Sequence, residues 1–328
     1  MDSGADAEHG GLPTDRLLYP HPMPEGLPYL SVPFGIDTDG RPAYWDLRGE
    51  HTSTHLLILG DRRPELLGLL RSLVIGVTRH SLATCVLDTT GTELRDLDDW
   101  AGTRVAHTAT ELAALLALVR REFLARLAAV AGERLQVGDL PRVVVIVDQA
   151  EELDALLAEH CRDGERPAGQ SVEALRQIAV VGSRVNMHLV VVNPPADWLT
   201  DPQLRRALPD RIVLGPVDPR LATALWDDPT IGVDPASHAD RGLLVGADRA
   251  PRKVRCWWTP WLRPDAHDDG AFPRTSAEIE RVRLLRRGPY KVKLLTETSQ
   301  LLDALEHTRQ HPMSLDDAST TDDPPNNA

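Results

Sequence analysis

The chain contains 328 residues, 42% of them hydrophobic and 26% charged, which is the composition of a globular protein with one large domain or two modest ones. Its formal net charge of −13 excludes a protein whose whole surface attracts nucleic acid, so a DNA contact would need a local basic patch. No apolar run is long enough to span a membrane, and the polar N-terminal residues and three scattered cysteines predict a reduced, cytoplasmic protein without a metal-binding motif.

The first half of the chain alternates turn-rich segments with apolar strands and helices. Residues 1–28 are rich in Gly, Pro, Asp and His and predict a flexible arm. Residues 32–47 predict a hairpin, because strand-forming residues flank the turn sequence Asp37-Thr38-Asp39-Gly40. Strands follow at 56–59 and 83–88, and helices at 64–78 and 109–131.

The second half continues this alternation. A β-branched run at 143–147 predicts a strand that is buried on both faces, and further strands are expected at 188–192, 211–214 and 242–245. Helices are expected at 150–160 and 171–181. The pattern predicts an α/β fold with a mostly parallel central sheet and helices on both of its faces.

The C-terminal region differs in composition from the rest. Residues 275–308 have a helical pattern that is interrupted at Gly288-Pro289, and residues 312–328 are acidic and rich in Pro and Asn. We therefore expect a flexible arm at 1–28, one domain at 29–265, a helical extension at 266–311 and a disordered acidic tail at 312–328.

Residues 55–67 have the frame of a phosphate-binding loop without its working groups. A buried strand leads into Gly60 and a helix follows, as in the Walker A sequence G-x-x-x-x-G-K-[ST]. Counting on from Gly60, Glu65 replaces the second glycine, Leu66 the lysine and Leu67 the Ser/Thr. Leucine can neither donate a charged hydrogen bond to phosphate, which contributes about 1.5–3 kcal/mol, nor ligate Mg²⁺.

Two arginines are the only compensation at this loop. Arg62 and Arg63 could supply positive charge from another direction, but Asp61 adds a negative charge and Pro64 lacks a backbone N–H donor. For catalysis, we therefore interpret residues 60–67 as a strand-to-helix connection that is kept for packing.

The second half of a nucleotide site would be a buried strand that ends in an acid. Residues 143–147 lead into Asp148, which in P-loop ATPases orders Mg²⁺, and Gln149 stands where a glutamate usually polarises the attacking water. A glutamine can hold a water but cannot take its proton, and loss of a general base typically lowers the rate by about 10²–10⁴.

Six segments in order resemble the motor domain of the FtsK/SpoIIIE family of DNA translocases, which includes actinobacterial plasmid-transfer translocases and the ATPase domains of type VII secretion. The resemblance spans about residues 30–260. The matching segments are Val32-Pro33-Phe34-Gly35-Ile36-Asp37 to Asp46-Leu47, His55-Leu56-Leu57-Ile58-Leu59-Gly60, Cys85-Val86-Leu87-Asp88, the helix containing Glu122 and Arg126, Leu140-Pro141 through Asp148, and Gly182-Ser183-Arg184 to Leu189.

The departures from the family pattern fall on its catalytic positions. Besides the Walker residues, the Thr-Gln-Arg-Pro sensor is replaced by Asn193-Pro194-Pro195, so its glutamine is missing. The resemblance implies a RecA-like P-loop ATPase fold and a tendency to form hexameric rings. We interpret the chain as a pseudo-ATPase that is an accessory or regulatory partner in DNA translocation or transfer. Its expected partners are DNA and a homo-oligomer or hetero-oligomer with an active FtsK-like translocase.

Two alternatives stay open. One is an active, divergent DNA translocase that uses Asp148 with Arg62 or Arg63, and only this alternative requires ATP and Mg²⁺ as cofactors. The other is a DNA-binding module without a motor, whose candidate contacts are Arg252, Lys253 and Arg255 next to Trp257, Trp258 and Trp261. The interpretation that we prefer for this basic run is an edge strand with solvated arginines and with tryptophans that pack onto the domain. His188 is interpreted as a core residue rather than a metal ligand.

Overall fold

The computed structural model describes residues 17–20, 23–48, 54–60, 63–98, 100, 102–160, 169–232, 241–245 and 251–259. They form one ten-stranded sheet with seven described α-helices. The strands are β1 (Ser31–Asp37), β2 (Pro42–Asp46), β3 (Leu56–Gly60), β4 (Ala83–Asp88), β5 (Thr103–Ala106), β6 (Val143–Asp148), β7 (Met187–Val192), β8 (Asp210–Leu214), β9 (Arg241–Val245) and β10 (Pro251–Cys256). The helices are α1 (Arg63–Arg79), α2 (Ala109–Ala131), α3 (Ala150–His160), α4 (Gly169–Val181), α5 (Ala196–Thr200), α6 (Pro202–Ala207) and α7 (Pro219–Trp226).

The sheet has a parallel half and an antiparallel half. Its strand order is β2-β1-β10-β9-β8-β3-β7-β6-β4-β5, and all pairings from β8 to β5 are parallel. The pairings of β2, β1, β10 and β9 are antiparallel, as is that of β9 with β8. The predicted α/β architecture and mostly parallel sheet are confirmed.

Two hydrophobic cores lie on opposite faces of this sheet. On one face, α1 packs through leucines such as Leu66, Leu69 and Leu73 together with side chains of β1 and β10. On the other face, α2 and α4 pack over the parallel strands. The predicted helices on both faces are therefore confirmed, with α1 alone among the long described helices in the first core.

Most predicted elements lie where the periodicity placed them, with small shifts at their ends. The helix predicted at 109–131 is α2, and its N-terminus carries a capping box between Thr108 and Glu111. The predicted hairpin is formed by β1 and β2. The strand β5 and helices α5 to α7 were not predicted, because each is only four to eight residues long.

The interpretation of the basic run near residue 252 as an edge strand is wrong. Strand β10 is internal, since β1 pairs with one side of it and β9 with the other. Its return into the sheet requires a register that local sequence does not encode.

Part of the predicted flexible arm is attached to the domain. The backbone N–H of Tyr19 donates to the Trp258 carbonyl at 3.1 Å, and its side chain is fully buried against Trp257 with the rings 5.5 Å apart. The predicted arm is therefore not loose at residues 17–20, because an aromatic contact holds it. The predicted extension and tail beyond residue 265 lie outside the described residues.

No helix among the described ranges is long and apolar enough to cross a membrane.

Candidate nucleotide site

The positions predicted to bind nucleotide meet at the carboxyl edge of the parallel strands. Strands β3, β7 and β6 are consecutive neighbours, and they end at Gly60, Val192 and Asp148. Ligands of open α/β sheets bind at this edge. The structure therefore brings together Gly60, Asp148, Gln149 and Asn193.

A network of two carboxamides closes this edge. The Gly60 N–H donates to Asn193 Oδ1 at 3.1 Å, and Asn193 Nδ2 donates to the Gly60 carbonyl at 3.0 Å. The same Nδ2 donates to Gln149 Oε1 at 2.9 Å. The Asn193 side chain thus pairs with both backbone groups of Gly60, as a residue of a neighbouring strand would.

Both amide residues have unusual backbone conformations. Gln149 has a φ of 45° and Asn193 a φ of 44°, in the left-handed region that non-glycine residues rarely adopt. Such conformations persist only where the surroundings impose them, and they are common at functional sites. Here the amide network and the Glu151 N–H, which donates to the Asn193 carbonyl at 3.2 Å, hold both turns.

The connection between strand and helix is shorter than the Walker frame assumes. Strand β3 ends at Gly60 and α1 begins at Arg63, so two residues separate them. Proline favours the first helical turn, which explains why Pro64 lies at the start of α1. The positions counted for the lysine and the Ser/Thr therefore fall within a helix and not within a loop.

The leucines at these two positions, Leu66 and Leu67, lie in the core. Leu66 is fully buried and Leu67 is 5% exposed, and both pack in the core on the α1 face. Glu65 is half-buried. Arg62 lies outside the described residues, and Arg63 is the first residue of α1.

A tryptophan from the C-terminal part of the domain covers the start of α1. Trp258 Nε1 donates to the Pro64 carbonyl at 3.1 Å, and the Thr259 N–H donates to the Gly68 carbonyl at 3.2 Å. A Cβ at Gly68 would lie 1.9 Å from Trp258 Cδ1, so only glycine allows this contact. Sequence reasoning missed the pair, because 190 positions separate its members.

The acidic positions at this edge are buried. Asp148 is fully buried, and its backbone carbonyl accepts a hydrogen bond from Thr89 Oγ1 at 2.9 Å. Asp88, its register partner on β4, accepts from the N–H groups of Thr90, Gly91 and Leu94. His107 bridges Asp88 and Asp98, with ring nitrogen to carboxylate distances of 3.0 and 2.7 Å.

Local donors therefore satisfy the hydrogen-bonding capacity of the Asp88 carboxylate, so Asp88 has a structural role. No group of three metal-ligating side chains exists among the residues that the structure describes.

The tryptophans next to the predicted DNA contacts are buried and cannot take part in DNA binding. Arg252 and Lys253 are exposed on β10 and Arg255 is half-buried. Trp257 and Trp258 are 3% and 4% exposed, so neither ring can stack on a base. The alternative interpretation, in which these tryptophans pack onto the domain, is confirmed, and Trp261 lies outside the described residues.

Solved structures share this arrangement of elements. The pCW3 conjugation coupling protein TcpA, in a structure with ATPγS, is 15% identical and superposes with a TM-score of 0.60 over 83% of this chain and 74% of that chain. The chain has the fold of a P-loop ATPase domain. The predicted RecA-like fold, and the resemblance to translocase motor domains at the level of the fold, are thereby confirmed.

Two further solved structures are also similar. EssC (ATPases 2 and 3) from Geobacillus thermodenitrificans is 15% identical, with a TM-score of 0.59 over 90% of this chain and 52% of that chain. The cytoplasmic domain of the type VII secretion ATPase EccC from Thermomonospora curvata is 18% identical, with a TM-score of 0.57 over 84% of this chain and 33% of that chain. The chain thus spans about half of the EssC chain and a third of the EccC chain. No protein-family model and no curated protein matches the sequence.

Two buried histidines, His55 directly before β3 and His188 within β7, make stability depend on pH. His55 is fully buried and His188, the predicted core histidine, is 2% exposed, and desolvation by burial lowers the pKa of each to about 3. In the unfolded chain both pKa values return to about 6.5, so the unfolded state binds more protons between these limits. The stability contributed by the neutral rings is complete above about pH 6.5 and is lost as the pH falls towards 3.

We expect the free energy of unfolding to fall by up to about 1.4 kcal/mol per pH unit for each histidine between pH 6.5 and 5. Urea unfolding at several pH values measures the slope, and His188→Leu should remove about half of it. An equally steep slope in that variant, or a flat profile in the natural protein, would contradict the assignment.

Proposed function

We propose that this chain is an ATPase-derived domain that does not hydrolyse ATP and that acts as an accessory or regulatory partner in DNA translocation or transfer. One observation carries the proposal: the Asn193 carboxamide engages both backbone groups of Gly60, where a phosphate-binding loop would begin. The Gly60 N–H is thereby committed to a side chain and is not available to a phosphate oxygen.

The residues beside Gly60 support the same conclusion. The positions of the phosphate-binding lysine and the Mg²⁺ ligand are leucines that pack in the core. A buried leucine contributes stability through burial and has no donor for a triphosphate. The short connection from β3 to α1 leaves two residues to surround the phosphates.

Gln149 supports the absence of hydrolysis specifically. Its Oε1 accepts a hydrogen bond from Asn193, and a carboxamide cannot accept the proton of an attacking water. Replacing Gln149 with glutamate restores a base at this position but does not restore the lysine or the Mg²⁺ ligand. A working site would require all three.

The kinds of protein that share the fold support the proposed biological role. TcpA is a conjugation coupling protein, and EccC is a secretion ATPase. We infer that this chain works in the cytoplasm beside such a machine, by joining a mixed ring, by capping one or by recruiting cargo. An oligomer with an active translocase is the expected assembly, with DNA as the expected cargo.

Thermal unfolding with Mg²⁺-ATP tests the proposal directly. A ligand at 100 times its Kd adds about 2.7 kcal/mol to the stability of the folded state, which raises the Tm of a domain of this size by roughly 5–10 °C. We expect no such rise with millimolar Mg²⁺-ATP, and no phosphate release with or without DNA. The Gln149→Glu variant is expected to remain inactive, because its added base has no bound triphosphate to act on.

The rival function gives the opposite results. A divergent translocase would bind ATP through Arg62 or Arg63, hydrolyse it faster with DNA, and lose that activity in Asp148→Asn. Such a result would end the proposal.

Salt-dependent DNA binding without ATP binding would favour the module without a motor. Glutamate substitutions at Arg252 and Lys253, which are exposed, should then remove that binding.

A further inference from the structure

A cleft lies between α4 and α6, and none of its lining residues belongs to the candidate nucleotide site. Its volume is about 280 Å³. Helix α4 contributes Glu173, Gln177 and Val180, which lie four and three positions apart and therefore share one face of the helix. Pockets for drug-sized molecules have volumes of about 300–1,000 Å³, so this cleft has room for one long side chain and not for a nucleotide.

The lining of this cleft combines apolar and charged side chains. Val180 and Val181 on α4 are half-buried, and Leu204 on α6 is buried, so together they form an apolar surface inside the cleft. Three charged side chains line the same cleft, namely Glu173, Arg176 and Asp201. Two of these three are acidic, so the lining carries a net negative charge.

The positive charge of Arg176 is already compensated by other side chains. Its Nη2 pairs with the Asp197 carboxylate, and its guanidinium lies 5.4 Å from the centre of the Trp198 ring. Asp154 on α3 also interacts with Arg176. Partial burial raises the pKa of the Asp154 carboxyl, and although Arg176 opposes this shift, Asp197 adds to it. Two acids therefore share this one arginine.

The two carboxylates that line the cleft keep hydrogen-bonding capacity. Asp201 Oδ1 accepts the N–H groups of Gln203 and Leu204 at 2.6 and 3.3 Å, and no described residue donates a hydrogen bond to its Oδ2. Glu173 is exposed, and among the described residues only Gln177 Nε2 donates to it, at a long 3.4 Å. A ligand with N–H donors and a positive charge would complement both carboxylates.

We propose that the cleft between α4 and α6 binds an arginine side chain from a segment of a partner protein. The methylene stem of this arginine packs on Val180, Val181 and Leu204, as long cationic side chains do on apolar surfaces. Its guanidinium donates to Glu173 and Asp201, because the planar fork of N–H groups matches the geometry of a carboxylate. An arginine within a peptide fits better than the free amino acid, whose own carboxylate the two acids would repel. The inference does not depend on whether the chain hydrolyses ATP.

Methyl NMR of the full chain, labelled at valine and leucine, tests the proposal with the peptide acetyl-Arg-Leu-amide. We expect this peptide to shift the methyl signals of Val180, Val181 and Leu204 until the site is saturated. The matched peptide acetyl-citrulline-Leu-amide has the same shape without the charge, and it should bind about fivefold more weakly. Glu173→Gln should weaken binding of the arginine peptide about threefold, because an exposed ion pair contributes little. The control Glu133→Gln, at an exposed glutamate beyond the end of α2, should leave binding unchanged.

Three results would overturn the proposal. The first is an arginine peptide that leaves these methyl signals unmoved at millimolar concentration. The second is equal affinity for the arginine and citrulline peptides, which would show that the cleft does not recognise charge. The third is equal affinity for free arginine or spermidine, which would assign the cleft to a small cation and not to a protein segment. Because the comparison of peptides uses the unaltered protein, it decides the matter even if Glu173→Gln folds poorly.

Discussion

Replacing Arg126 with methionine is expected to lower the free energy of unfolding by about 3–5 kcal/mol. The Arg126 side chain is fully buried, its Nε donates to Glu122 Oε1 at 2.7 Å, and its Nη1 donates to the carbonyls of Pro141 and Val185 at 2.7 and 3.1 Å. It therefore joins α2 to the segments that lead into β6 and β7. The substitution would remove this ion pair from the Glu122 carboxylate, which is 3% exposed.

Desolvation by burial lowers the pKa of Arg126, and the Glu122 carboxylate opposes that shift, so the carboxylate offsets part of the cost of burying the guanidinium charge. Urea unfolding followed by circular dichroism measures the loss. The control Arg104→Met removes an exposed arginine of β5 and should change stability by less than about 0.5 kcal/mol. The double variant Glu122→Leu/Arg126→Met should recover most of the stability, because a pair of apolar side chains leaves no buried charge. A single variant as stable as the natural protein would show that the ion pair does not support this core.

Gly68→Ala is the second substitution for which we expect a large loss, about 3–5 kcal/mol, comparable to truncating a buried tryptophan. The added Cβ would lie 1.9 Å from Trp258 Cδ1 and 2.5 Å from its Nε1, so the indole would have to leave its place on α1. The hydrogen bond from the indole to the Pro64 carbonyl would then break. The hydrogen bond that Ser72 donates to the Trp257 carbonyl at 3.2 Å would break as well, because Trp257 would move with its neighbour.

Chemical unfolding compares the stability of Gly68→Ala with that of a control variant. Gly138→Ala is the matched control, since no atom lies within 4 Å of a Cβ at that position, and it should be neutral or slightly stabilising. In the background of Trp258→Leu, Gly68→Ala should cost much less than it does alone, because the smaller side chain leaves room for a methyl group. Additive losses in the double variant would show that the glycine acts through something other than this contact.

Local pattern accounts for most of the fold and for much less of the site. The strands predicted at 143–147 and 188–192 lie in β6 and β7, which are buried throughout, and the β-branched run at 143–147 is typical of such a strand. The capping box at Thr108 marks the start of α2 in the same local way. The strand order, in contrast, is not encoded locally, because no residue pattern near β10 indicates that this strand lies between β1 and β9.

At the candidate site, the sequence identifies the residue types correctly but does not predict where their side chains lie. Counting from Gly60 assumed a loop of Walker length, whereas α1 begins at Arg63 and turns Leu66 into the core. Asn193 lies at the sheet edge directly after β7, and its role as a degenerate sensor stays a prediction. Its bonds to Gly60 depend on the pairing of β3 with β7, which brings together residues 133 positions apart. That pairing is a tertiary property and has no local signal.

The pairing of β3 has a consequence for how the protein is made. This central strand, at residues 56–60, needs β7 and β8 as neighbours, so it cannot be completed until the ribosome has synthesised the chain as far as Leu214. The leucine-rich helix that follows it is made early and stays without its burial partners for most of translation. Folds dominated by such distant pairings form slowly, in milliseconds to seconds, and their exposed apolar surface attracts chaperones during that interval.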